Sequence, residues 1–60
     1  MPVSLEDQIR CVKREIGMRK RVYPRWVESK KMTEAKSAEE IASMEAVLET
    51  LLYVLAEEAR

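Results

Sequence analysis

Four kinds of side chain in this sequence could do chemistry: two adjacent carboxylate pairs, one thiol, two phenols and a run of arginines around the lone tryptophan. The pairs are Glu39-Glu40 and Glu57-Glu58. Neighbouring positions on a helix point in different directions, so neither pair converges on one substrate, and with no histidine in the chain a neutral-pH general base is lacking. Cys11 is the only cysteine, which leaves no partner for an intrachain disulfide and no zinc-ligand set. One glycine is too few for a phosphate-cradling loop. No catalytic, metal-binding or cofactor-binding residue is assigned, and the chain is read as a non-enzyme.

Binding chemistry is better represented. Arg21-Val22-Tyr23-Pro24-Arg25-Trp26-Val27 sets two arginines beside two aromatics, residue types that dominate interface hot spots. Arg21, Tyr23, Arg25 and Trp26 are therefore the candidate partner-binding residues. Net charge is zero, but it is divided: residues 1–31 carry nine Lys/Arg against four Asp/Glu, and residues 32–60 carry two against seven. Two readings fit this split. Either two antiparallel segments attract each other, or Arg10, Lys13, Arg14, Arg19, Lys20, Arg21 and Arg25 form a basic face for RNA or DNA.

The elements that position these residues follow from apolar spacing. Leu5, Ile9, Val12, Ile16, Tyr23 and Trp26 alternate steps of four and three, with Arg19 in the one skipped place, as in a coiled-coil seam. The stripe is about 100° wide, enough to face one neighbouring helix. Ser4 is the expected N-cap, so helix one covers about 5–29. Pro24 removes a backbone donor inside it and crowds the preceding turn. The apolar rhythm continues through in phase, which favours a kink over a break with Pro24 opening a new helix. A turn at about 30–33 leads to helix two, about 34–58, capped by Thr33, or by Ser37 with Glu40 in capping-box spacing. A short connection makes antiparallel neighbours, so the expected fold is all-α: one helical-hairpin domain over 1–60, its first helix kinked at Pro24.

Helix two carries Ile41, Met44, Leu48, Leu51 and Leu55 as its seam, flanked by Val47, Leu52 and Val54. The arc spans about 160°, more than one partner helix covers. A homodimer forming a four-helix bundle follows, with Val47, Leu48, Leu51, Leu52, Val54 and Leu55 as its expected interface. Arg19, opposite Met44 and Glu45 in such a hairpin, is expected to pair with Glu45 and fix register. The apolar run Leu51–Leu55 is too short to span a bilayer and is followed by Glu57 and Glu58, so no membrane role is expected. A lone thiol and the absence of a signal-like apolar core at Met1–Arg10 point to the cytoplasm.

The segment Arg21–Val27, with Lys31-Met32-Thr33, Ala35-Lys36, Glu40-Ile41 and Met44, resembles a group of short uncharacterised proteins of bacteriophages and prophages of Proteobacteria. The resemblance runs from about Leu5 to Leu51. Many such sequences place a glycine where Lys30 stands, a good helix C-cap. It implies a phage or prophage accessory protein in the cytoplasm of a bacterial host, with no known catalytic residues. The expected function is binding another protein, as a regulator or inhibitor of a host or phage protein. The alternatives are an RNA- or DNA-binding hairpin dimer and a structural piece of a larger complex.

Overall fold

The computed structural model describes residues 2–60 as two helices, α1 (Leu5–Glu28) and α2 (Glu34–Glu58), with no strand among the described residues. Each start is fixed by a side-chain cap. The Ser4 hydroxyl accepts from the Asp7 N–H at 3.1 Å, and the Thr33 hydroxyl accepts from the Lys36 N–H at 3.0 Å. Both satisfy an amide that the first helical turn leaves unpaired. Thr33 rather than Ser37 therefore begins α2. Glu6 and Asp7 in the first turn of α1, and Glu34 in that of α2, sit at the positive end of each helix dipole.

Helix α1 ends in a Schellman turn. The Lys30 N–H donates to the Val27 carbonyl at 3.1 Å and the Lys31 N–H to the Trp26 carbonyl at 2.8 Å. Closing that turn places Lys30 at φ 65°, the left-handed region where glycine is the unstrained choice. Upstream, α1 runs unbroken through Pro24. The missing amide removes one rung of the ladder without ending the helix.

A helix of 24 residues is about 36 Å long, and the molecule measures 45 × 20 × 15 Å, so α1 and α2 lie side by side as a hairpin. Their shared seam is thin. Ile9, Ile16 and Tyr23, seven residues apart along one line of α1, are the buried side chains, and none among the described residues is fully enclosed. Helix α2 contributes half-buried residues only, Ile41, Met44, Leu48, Leu51 and Leu55 among them, as its stripe facing α1. No described helix is long and apolar enough to cross a membrane.

Candidate interaction surface

Two neighbouring cations define the sides of the hairpin. Arg19 and Lys20 point about 100° apart on α1. The Arg19 guanidinium donates through Nε to Glu15 Oε1 at 2.9 Å and through Nη1 to the Glu40 carbonyl at 3.1 Å, with the Glu40 carboxylate 4.0 Å away. It also lies 5.7 Å from the centre of the Tyr23 ring. Lys20 instead reaches Glu45, at 3.1 Å. The expected Arg19–Glu45 pair is thus replaced by two cross-helix contacts. Glu40 and Glu45 lie five residues apart, about 140° around α2, so each cation takes the carboxylate on its own side.

Arg19 keeps its full charge: the hydrogen bond it donates to Glu15 raises its pKa, a pull that outweighs partial desolvation. Lys36 lies 3.6 Å from the carboxylates of both Glu39 and Glu40, so Glu15, Arg19, Glu40, Lys36 and Glu39 form one chain of three anions and two cations. The adjacent glutamates are thereby surface ion-pair partners. Among the described residues no three potential metal ligands converge.

The aromatic segment divides in the same geometric way. Tyr23 is one of the buried residues of the seam, so its ring is a packing element and is withdrawn from the accessible partner-binding set. Trp26 stacks on it with ring centres 5.5 Å apart and stays 42% exposed. Glu15, Met18, Arg19, Val22, Tyr23 and Trp26 line one open depression of about 260 Å³ along α1. Arg21 and Arg25 project from the outer side of α1, exposed and without a carboxylate within 4 Å among the described residues. Lys13 and Arg14 are likewise unpaired there, while Arg10 bonds to Asp7 on its own helix. Attraction between the halves therefore engages only Arg19 and Lys20 of the seven basic residues.

The residues of the expected dimer interface on α2 fall into two groups by exposure. Leu48, Leu51 and Leu55 are half-buried against α1, whereas Val47, Leu52 and Val54 remain exposed. A seven-residue step returns to within about 20° on a straight helix. Val47 and Val54, seven and fourteen residues beyond Glu40, thus share its side, and Leu52, seven beyond Glu45, lies on the other. Tyr53 is 67% exposed on the outer face of α2, and Cys11 is a free, exposed thiol. Sequence spacing alone missed Met18 and Val22, which sit off the seam; the successive steps of four from Met18 to Val22 to Trp26 were the available signal. No protein-family model, curated protein or solved structure matches the chain.

Proposed function

We propose that this protein acts without catalysis, as a helical hairpin that pairs with a second copy into a four-helix bundle and binds another protein through the arginine-bearing outer side of α1. The observation that carries this reading is the distribution of apolar surface. Three side chains among the described residues are buried, while Met18, Trp26, Val47, Leu52, Tyr53 and Val54 stand 38–67% exposed. A two-helix chain of this length gains too little from its own seam to hold a unique fold comfortably, and association supplies the missing burial. Arg21 and Arg25 are left over for a partner with an acidic surface, and a bend of α1 at Pro24 would orient them. In the setting implied by the phage resemblance, that partner is a host or phage regulator in the bacterial cytoplasm, and the mechanism is occlusion of its surface.

The test compares the native protein with an Arg21→Ala, Arg25→Ala variant, both checked for oligomeric state by light scattering and then used for affinity capture from host lysate. A partner retained by the native protein and lost with the arginines is the expected result. Capture indifferent to both arginines would sink the assignment.

A second reading has its own observation. Lys13, Arg14, Arg21 and Arg25 carry charge on the outer side of α1 without an ion pair among the described residues, the arrangement that phosphate contacts require. Binding of short RNA or DNA would weaken steeply with salt. No mobility shift at low salt removes this reading.

A further inference from the structure

We propose that the second copy docks on one side of the hairpin only, the Arg19/Glu40 side, through Met18, Val22 and Trp26 of α1 together with Val47, Leu51 and Val54 of α2. This rests on the self-pairing reading above and replaces a face on α2 alone with one shared by both helices.

The two sides differ in composition. Met18, Val22 and Trp26 follow one another in steps of four and share a depression with Arg19, which places them on its side of α1. Val47, Leu51 and Val54 follow Glu40 by seven, eleven and fourteen residues, which places them on the matching side of α2. Arg19 joins the two rows through its hydrogen bond to Glu40. The opposite side offers the Lys20–Glu45 pair and Leu52. One side is an apolar strip the length of the seam; the other is mostly polar.

Charge chooses the occupant. A two-fold contact sets a face against itself, so any net charge on it meets its own sign. The ionised groups on this side are Glu15, Arg19, Glu40 and Lys36, linked to one another, with Arg25 seven residues beyond Met18 and Glu58 seven beyond Leu51, three anions against three cations. Such a face closes on its own copy with no net charge to repel it. Area agrees. The hairpin exposes 4883 Å², against about 4,000 Å² for a compact chain of its size, and the excess of about 800 Å² equals what one partner gives up in a standard interface. Trp26 then belongs to self-association, leaving Arg21 and Arg25 at the rim.

Sedimentation velocity of the native protein and of Met18→Glu, Val47→Glu and Leu52→Glu variants tests this. The native chain and Leu52→Glu should be dimers. Val47→Glu sets two carboxylates in the interface of each dimer and Met18→Glu replaces its apolar anchor with a charged side chain, and each should weaken association by about 100-fold or more. Met18 lies outside the seam between the helices, so helix content lost in Met18→Glu and regained at higher protein concentration reports lost pairing, not a damaged seam. Should Val47→Glu unfold, the native protein still decides: acrylamide quenching of Trp26 must fall on passing from monomer to dimer. Dissociation by Leu52→Glu but not Met18→Glu, or quenching unchanged by dimerisation, overturns the assignment while the dimer stands. A native chain that stays monomeric overturns the self-pairing reading and this one with it.

Discussion

Arg19 shows how one long side chain resolves a conflict in the seam. An apolar residue belongs at its position, and Arg19 occupies it by holding its guanidinium over the Tyr23 ring while its planar donors reach Glu15 and the Glu40 carbonyl. Each donor that leaves water finds an acceptor, so no charge is stranded. Double-mutant cycles should then show coupling between Arg19 and Glu15 and between Lys20 and Glu45, and none between Arg19 and Glu45; a measurable Arg19–Glu45 coupling would contradict the geometry. At the start of α1, Asp7 has a pKa held below the ordinary carboxylate value. The Arg10 hydrogen bond contributes most, then the Arg10 charge, then the Ser4 hydroxyl, against slight desolvation. Because the folded value is the lower one, the stabilisation is complete above the unfolded pKa and disappears as pH falls through the folded one. Titration of the Asp7 carboxyl by NMR should give this lowered value, and Arg10→Gln should return it toward normal more than Ser4→Ala does.

At the scale of the elements, two residues sit against helical economy without a packing reason. Lys30 holds φ 65° to close the end of α1, and an L-residue there costs about 1 kcal/mol relative to glycine. Lys30→Gly should accordingly raise thermal stability by an amount of that order, less the extra freedom it gives the unfolded chain. Gly17 is the mirror case. A Cβ added there meets nothing within 4 Å, so Gly17→Ala should stabilise α1 by about 1 kcal/mol, or about 4–8 °C in Tm. A loss of stability in either variant would mean that the site makes a contact in the assembled protein. The caps at Ser4 and Thr33 were legible in the sequence because capping chemistry is complete within four residues. The line Ile9, Ile16, Tyr23 was legible because it repeats every seven. The partner of Arg19, the burial of Tyr23 and the separation of Val47 from Leu52 were not. Those depend on how α2 is rotated about its axis against α1, which spacing within either helix leaves undetermined. Exposure of Trp26 has the same origin: it continues the seam by count, yet lies where α1 approaches its end and α2 has only begun.

For the molecule as a whole, shape sets the physics of folding. A compact chain of sixty residues has a radius of gyration of about 10 Å, and this one has 14.0 Å. It is a narrow plate, two helices wide, with no second layer beneath its exposed valines, Met18 and Trp26. Cross-helix ion pairs cannot compensate, because Lys20 and Glu45 are half in water, where such pairs contribute about 0–1 kcal/mol. Burial of the Arg19/Glu40 side against a second copy, as proposed above, would supply the missing layer, and folding would then be coupled to concentration. Each tenfold increase in protein concentration favours the dimer by about 1.4 kcal/mol. The midpoint of thermal unfolding followed by circular dichroism should therefore rise steadily across a hundredfold concentration series, with Trp26 emission changing at the same temperature as helix content. A midpoint independent of concentration, or an indole signal that changes well before the helices melt, would show that the hairpin stands alone and that its apolar side is held open for something other than itself.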